Sequence, residues 1–191
     1  MFLNYASFFG AAEKPLERVV DFLLATGLPD GGYNCRYRQP NTHHSSMHTT
    51  IAVLEGFCQF LKRGSPYRRE EIKAAQRAGE EFLLTHRLYR SDKTGEVIDP
   101  HWLMLSFPSR WKYDILRALI YLTDAGRPYD PRMADALAVL HAKQRKDGLW
   151  PVQAKHPGEV HFDMEKAGTA SRFNTLRALR VLMAYEEDHR S

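Results

Sequence analysis

The sequence predicts an all-α protein of three helical hairpins, each about 60 residues long, in a single domain spanning residues 1–191. Six segments place apolar residues three and four positions apart, which is the spacing of one helix face. A short pattern also recurs: Leu116-Arg117-Ala118-Leu119 returns 60 residues later as Leu176-Arg177-Ala178-Leu179, and Leu54-Glu55-Gly56-Phe57 lies 62 residues before the first. No segment alternates for long, so no strand is predicted.

The first hairpin joins a helix over residues 15–25 to a second helix over 48–63. Pro15 suits the first turn of the first helix, and Gly27 ends that helix. A polar loop follows, and Gly64-Ser65-Pro66 stops the second helix.

The second and third hairpins repeat this arrangement. The second joins helices over residues 69–86 and 110–124, and the third joins helices over 130–143 and 171–186. Asp130-Pro131 supplies an N-cap and a first-turn residue for the fifth helix. Each pair has a long middle loop, and such loops inside a compact domain usually shape a functional site.

The N-terminus is unusually apolar. Phe2, Leu3, Tyr5, Phe8 and Phe9 crowd the first nine residues, although a free terminus is normally polar and frayed. We expect this segment to bury itself, either as a cap on the hairpins or as a helix that belongs to a longer chain.

Charge and composition exclude several classes of protein. The net charge is +4 and the pI is about 9.1, but the basic clusters lie at the ends of predicted helices, where cations complement the helix dipole. Nucleic-acid binding normally needs a longer basic stripe. The two cysteines form no disulfide framework, and no apolar run approaches about 18 residues. We expect a cytoplasmic protein with no membrane span and no nucleic-acid partner.

One turn has a distinctive pattern. Gln144, Gly148 and Trp150 follow Leu140 at the end of the fifth predicted helix. Asp-Gly reverses the chain there, and we expect the tryptophan to cover the helix end while the glutamine bonds free backbone groups. Less regular copies run from Gly27 to Tyr33 and from Arg87 to Gly95.

This pattern resembles the glutamine–tryptophan repeat of terpenoid cyclases. The chain therefore resembles the squalene cyclase and protein prenyltransferase group, and within it small uncharacterised bacterial squalene-cyclase-like proteins. The resemblance implies an α/α toroid of outer and inner helices. A closed toroid of this group needs about six hairpins, so three hairpins imply part or half of one. An open barrel, a homodimer, or further hairpins preceding Met1 in a longer chain are the alternatives.

The catalytic motifs of that group are incomplete in this chain. The acidic D-x-D-D and D-D-x-x-D motifs are absent. His48-Thr49 resembles the His-Thr of the prenyltransferase zinc site, but Cys35 follows Asn34 and does not match its Asp-x-Cys.

A histidine group gives the strongest metal signal. His44 and His48 are four residues apart, a spacing that suits zinc when both lie on one helix face. The simpler interpretation is a polar loop whose hydroxyl side chains cap the helix. We therefore predict no cofactor and keep zinc at these two histidines as an option.

The loops before the inner helices contain aromatic and polar side chains of the kind that line a pocket for a small apolar or isoprenoid-type ligand. Aromatic faces can also stabilise a carbocation. An equally simple interpretation is that Trp111 and Phe173 pack one hairpin against the next. The candidate ligand-binding residues are Arg36, His44, Phe107, Arg110, Trp111, Tyr113, Phe162 and Arg172.

Asp114, Glu165 and His48 are the candidate catalytic residues. Protonating an alkene requires a carboxylic acid with a raised pKa, which burial can provide. Asp114 also has a structural interpretation, in which it pairs with Arg117 or Arg177.

Two functions remain open. The first is a terpenoid-cyclase-like or prenyltransferase-like enzyme, a cyclase or a transferase, with an aromatic-lined pocket. The second is a non-catalytic ligand-binding or scaffold protein that keeps the toroid without the chemistry.

Overall fold

The computed structural model describes residues 1–186, and this part of the chain is mostly helical. Two short 3-10 helices, Pro100–Leu103 and Pro131–Met133, accompany the α-helices. In chain order the α-helices of residues 1–186 are α1 Phe2–Phe8, α2 Glu13–Ala25, α3 Met47–Lys62, α4 Arg69–Thr85, α5 Ile115–Asp124, α6 Ala134–Ala142 and α7 Arg172–Glu186.

Six of these α-helices, α2 to α7, match the six predicted helices, and most of their ends lie close to the predicted ones. The predicted start of α5 at Arg110 was wrong. Arg110 has a φ of +52°, outside the helical region. Asp114 is extended, and its carboxylate accepts a 2.8 Å hydrogen bond from the backbone N–H of Arg117. Asp114 is therefore the N-cap of α5.

The prediction that the chain has no strand was also wrong, on a small scale. Strands β1 (Trp150–Pro151) and β2 (Ala170–Ser171) pair antiparallel, with Trp150 opposite Ser171. Strands of two residues are too short to show an alternating pattern. This pairing joins the two ends of the loop over residues 152–169, which contains much of the site described below.

The chain divides into two compact units, Met1–Leu83 (unit 1) and Leu84–Ser191 (unit 2, described to residue 186). The core of unit 1 lies between α2, α3 and α4 and the N-terminal helix. Its buried side chains are Leu3, Leu16, Val20, Tyr33, Val53, Phe57, Phe60 and Ile72. In unit 2, α5 packs against α7. None of the helices in residues 1–186 has both the length and the apolar character needed to cross a membrane.

Helix α1 packs against α3. A Cβ added to Gly56 of α3 would lie 3.2 Å from Cβ of Leu3, so the two backbones approach closely. Leu3 and Ser7 are buried. Phe2, Phe8 and other aromatic side chains of the segment are exposed, so within the chain the apolar N-terminus is only partly buried.

The segments that follow α2 and α6 contain the same turn. Gly31 and Gly148 both have positive φ angles, of 91° and 80°. Gly31 donates to the carbonyl of Leu28 and Gly148 to the carbonyl of Arg145, each at 2.9 Å. Glycine is favoured at both positions because it adopts this left-handed conformation without a steric penalty.

The expected roles of the third turn's side chains are present. The indole Nε1 of Trp150 donates to the carbonyl of Leu140 at 2.7 Å, which satisfies a carbonyl in the last turn of α6. The side-chain amide of Gln144 donates to the carbonyl of Gly148 at 3.0 Å. Trp150 is completely buried, so it also closes the core beneath the turn.

Candidate functional site

Unit 2 contains a cavity of about 400 Å³ that combines apolar and charged side chains. It lies between the segment that precedes α5 and the long loop that precedes α7. Four predicted site residues line it. The full lining is Phe107, Pro108, Arg110, Lys155, His156, Glu159, Val160, His161, Phe162, Asp163, Met164 and Glu165.

One wall of the cavity is fixed by hydrogen bonds to buried groups. The side-chain amide of Asn174, in the first turn of α7, donates to the carbonyls of Leu105 and Pro151 at 3.2 and 3.1 Å. Asn174 is completely buried, so these bonds replace lost water contacts. Phe107 then stacks on Phe173 of α7, with ring centroids 4.2 Å apart. The Phe107 ring is thereby attached to a helix rather than to a free loop.

The opposite wall comes from the loop itself. Val160, Phe162 and Met164 occupy alternate positions and are all exposed, Phe162 by 73%. Exposed apolar side chains are common singly, but here three from one short segment line the same concavity. This arrangement gives the cavity an apolar surface on its loop side.

The charged groups of the cavity are largely occupied with protein partners. Lys155 forms an ion pair with Asp163. Arg110 donates from Nη1 to the carbonyl of Pro157 at 3.1 Å. These contacts hold the loop in place, and they leave the aromatic and aliphatic surfaces as the unoccupied part of the lining.

Glu165, a candidate catalytic acid, caps helix α7. One carboxylate oxygen accepts from the hydroxyl of Ser171, and the other accepts from the backbone N–H of Arg172 at 2.8 Å. A carboxylate is stabilised at a helix N-terminus by the free N–H groups and the dipole there. Both carboxylate oxygens of Glu165 are therefore occupied by donors of the protein.

Asp114 is buried, with an exposure of 2%, and is not part of the cavity lining. Burial raises the pKa of its carboxyl above the usual range, whereas the charge of Arg177 and the N–H of Arg117 oppose that rise. Ser109 also donates to the carboxylate, at 3.3 Å. The contacts agree with the structural interpretation of Asp114.

Tyr113, Trp111 and Arg172 do not line the cavity. The hydroxyl of buried Tyr113 donates to the carbonyl of Leu88 at 2.5 Å, and burial raises its pKa. Trp111 is exposed, with Nζ of Lys112 5.6 Å from its ring centroid. Arg172 is exposed at the first position of α7.

The remaining candidates, Arg36, His44 and His48, belong to unit 1. Arg36 and His44 are exposed, and their backbones are joined through Asn34, whose side chain bonds the N–H of Arg36 and the carbonyl of His44 at 3.0 and 2.8 Å. His48 is half-buried in the first turn of α3. Within residues 1–186, no three or more His, Cys, Asp or Glu side chains are grouped so that they could hold a metal ion.

A second cavity in unit 2, of about 440 Å³, is mainly polar. It includes Arg87, Arg90 and Asp135, and Nε of Arg90 lies 2.8 Å from the carboxylate of Asp135. Arg87 lies 3.7 Å from the same carboxylate. None of the predicted site residues lines this cavity, and both of its arginines share the carboxylate of Asp135.

Sequence reasoning missed part of the apolar wall. Val160 and Met164 were not singled out, although they alternate with Phe162 in a loop marked by glycine and proline. That alternation was the available signal, because regularly spaced apolar residues in a polar loop need a surface or a ligand to contact.

Comparisons of the chain with models of known protein families, with curated proteins and with solved structures found no match. No family membership follows from them.

Proposed function

We propose that unit 2 binds a small, largely apolar ligand in the 400 Å³ cavity and does not transform it. The observation that carries this proposal is the apolar wall of Val160, Phe162 and Met164, which faces solvent in the absence of a ligand. Cavities of this size with aromatic and aliphatic linings are typical small-molecule sites. Burying the exposed faces of these side chains would supply the main driving force.

The contacts and positions of the two candidate acids, Glu165 and Asp114, support binding rather than catalysis. Glu165 caps α7 and Asp114 caps α5. A general acid must reach the atom it protonates, but Asp114 lies outside the lining and both oxygens of Glu165 have protein donors.

The architecture we propose is part of an α/α toroid, as the resemblance to squalene cyclases and protein prenyltransferases implies. The similar turns at Gly31 and Gly148 support it, since a turn that recurs along the chain is a property of repeat proteins. A toroid relative that lost its catalytic motifs would still have an apolar pocket. Isoprenoid-type molecules are therefore the first class of ligand to test. We also propose that the protein is located in the cytoplasm.

A second candidate function, acid-initiated cyclisation, is favoured by one observation. The pKa of Asp114 is raised by burial, as a proton donor to an alkene requires. Incubation with squalene and with prenyl diphosphates tests it. Cyclised or transferred products that disappear in Asp114→Asn would support this candidate, and their absence with wild type would remove it.

The test of the binding proposal is a titration of the whole chain with geraniol and farnesol by calorimetry, followed by extraction and chromatography of the ligand. We expect saturable binding and complete recovery of unchanged ligand. Phe162→Ser tests the cavity wall, and its matched control is Leu149→Ser. Leu149 is an exposed apolar side chain outside the cavity, so this control should bind as wild type does. Absence of binding to wild type, or conversion of the ligand, would contradict the proposal.

A further inference from the structure

The mainly polar cavity of about 440 Å³ has charged side chains of both signs in its lining. These are Arg87, Arg90, Asp92 and Asp135, two positive and two negative. All of its lining residues belong to unit 2, and none of them lines the 400 Å³ cavity. Its volume is within the range of small-molecule sites. A ligand of this cavity would therefore meet balanced charges rather than an excess of one sign.

Arg90 and Asp135 are occupied with each other. Nε of Arg90 donates to the carboxylate of Asp135 at 2.8 Å, and Nη1 donates to the carbonyl of Gly95 at 3.0 Å. The guanidinium carbon of Arg90 also lies 4.8 Å from the ring centroid of Tyr89. These contacts give Arg90 and Asp135 a structural role in the wall of the cavity.

The other two charged groups of the described lining, Arg87 and Asp92, have only long ionic contacts. Nη1 of Arg87 lies 3.7 Å from the carboxylate of Asp135, and the carboxylate of Asp92 lies 3.7 Å from Nε2 of His86. Both distances exceed that of a hydrogen bond. The Arg87 and Asp92 side chains are 60% and 44% exposed. Each can therefore take a hydrogen-bonded partner of opposite charge from a ligand.

The backbone holds Arg87 in place beside the cavity. Arg87 and Leu88 both have left-handed φ angles, of +42° and +67°. Leu88 is completely buried, and its carbonyl accepts a 2.5 Å hydrogen bond from the hydroxyl of Tyr113. Strained backbone of this kind costs free energy and is found most often where a side chain must be presented to a ligand.

Asp92 belongs to a turn that is also well ordered. The N–H of Ser91 donates to the carbonyl of Glu96, and the N–H of Gly95 donates to the carbonyl of Ser91, each at 2.8 Å. The bonds of Arg90 then join this turn to Asp135 in α6. Because both positions are fixed before binding, little conformational entropy would be lost when a ligand binds.

We propose that this cavity binds a small zwitterion of the free amino acid class, with its carboxylate on Arg87 and its ammonium group on Asp92. A guanidinium group matches a carboxylate geometrically, and hydrogen bonds between charged groups are the strong ones. The two aspartates disfavour a simple anion and the two arginines disfavour a simple cation. This site shares no residue with the apolar cavity, so it is independent of the proposed function.

The experiment is a calorimetric titration of the full chain with L-glutamine, whose polar side chain suits the mainly polar lining. We expect saturable binding. N-acetyl-L-glutamine lacks the positive charge and L-glutaminamide lacks the negative charge. Each should bind wild type at least about tenfold more weakly than L-glutamine does, because each leaves one charged group of the protein without its partner.

Two variants assign the two contacts. Arg87→Gln and Asp92→Asn should each weaken L-glutamine binding at least about tenfold. Arg87→Gln should also remove the preference over L-glutaminamide, and Asp92→Asn the preference over N-acetyl-L-glutamine. Lys93→Gln and Glu96→Gln are the matched controls, since both residues are exposed near the same turn and do not line the cavity. They should bind as wild type does.

Three results would overturn the proposal. The first is no binding of L-glutamine to wild type at about 20 mM, well above the concentration that a weak site requires. The second is equal affinity of wild type for L-glutamine and N-acetyl-L-glutamine, which would show a site for anions alone. The third is unchanged affinity in Arg87→Gln or Asp92→Asn. Circular dichroism of the variants should match wild type, because both side chains are largely exposed.

Discussion

The backbone N–H of Trp150 donates a 2.9 Å hydrogen bond to Oγ1 of Thr175, in the first turn of α7. The backbone N–H of Tyr33 makes the same bond to Oγ1 of Thr50 in α3, also at 2.9 Å. In both segments, the aromatic residue after the glycine turn is thereby tied to the helix that follows it. The turns after α2 and α6 are therefore alike in these side-chain contacts as well.

The first prediction concerns these threonines. Thr175→Val should keep the side-chain shape but leave the N–H of Trp150 without its acceptor, and Thr50→Val should do the same to Tyr33. Each should lower the free energy of unfolding by about 1–3 kcal/mol, the usual cost of an unsatisfied buried donor. Urea unfolding measures this.

Thr123→Val is the control for both. The hydroxyl of Thr123 donates to the carbonyl of Leu119 one turn earlier in α5, so its loss leaves no buried N–H without a partner. Equal losses in all three variants would show that the threonine bonds have no special role in the hairpins.

The second prediction compares the two turn glycines. Gly148→Ala should cost only the strain of a left-handed alanine, about 1–2 kcal/mol, because no atom lies within 4 Å of the added Cβ. Gly31→Ala adds a contact of 2.7 Å with the backbone carbonyl oxygen of Ala78. Thermal or urea unfolding should therefore show a clearly larger loss for Gly31→Ala. Equal losses of stability in the two variants would contradict the close contact between the Gly31 turn and α4.

The third prediction uses the pH dependence of stability. The folded-state pKa of Asp114 is raised by burial above its value of about 3.9 in the unfolded chain. The folded protein then holds this proton more tightly, so its contribution to stability is present below pH 4 and is lost as pH rises through the folded pKa. The stability of wild type relative to Asp114→Asn should fall as pH rises from 4 to 7.

Asp21→Asn should show the opposite trend. Hydrogen bonds from Arg68 and Tyr67 lower the pKa of Asp21, so its contribution is present above the unfolded pKa and is lost as pH falls through the folded pKa. Urea unfolding from pH 4 to 7 checks Asp114→Asn, and its extension below pH 4 checks Asp21→Asn. A flat difference for Asp114→Asn would mean that burial does not perturb this carboxyl.

Much of the helical framework was predictable from the sequence, because apolar spacing and glycine stops determine where most helices lie. The start of α5 was not, since Arg110 in a left-handed conformation and the cap at Asp114 depend on the surrounding fold. The pairing of Trp150 with Ser171 also could not be predicted from the sequence. A strand of two residues forms only when the helices on either side bring its partners together.

The cavity shows that residue type alone is insufficient to predict which side chains form a site. Asp114 was chosen as an acid for its chemistry, but its position at a helix N-terminus gives it capping contacts and removes it from the cavity lining. Phe107 was predicted to bind a ligand, and its ring stacks on Phe173, next in the chain to Asn174, whose side chain bonds the carbonyl of Leu105. The bond to Leu105 joins residues 69 positions apart in the chain, which no local pattern reveals.

The most direct measurement is the affinity for farnesol of wild type, Phe162→Ser and Leu149→Ser, determined by calorimetry together with analysis of the recovered ligand. Phe162 is 73% exposed and lines the cavity, so its replacement should weaken binding about tenfold or more without loss of stability. Leu149→Ser should bind as wild type does, and the farnesol should be recovered unchanged in every case. Equal affinities for wild type and Phe162→Ser, or conversion of the farnesol, would contradict ligand binding in this cavity without catalysis.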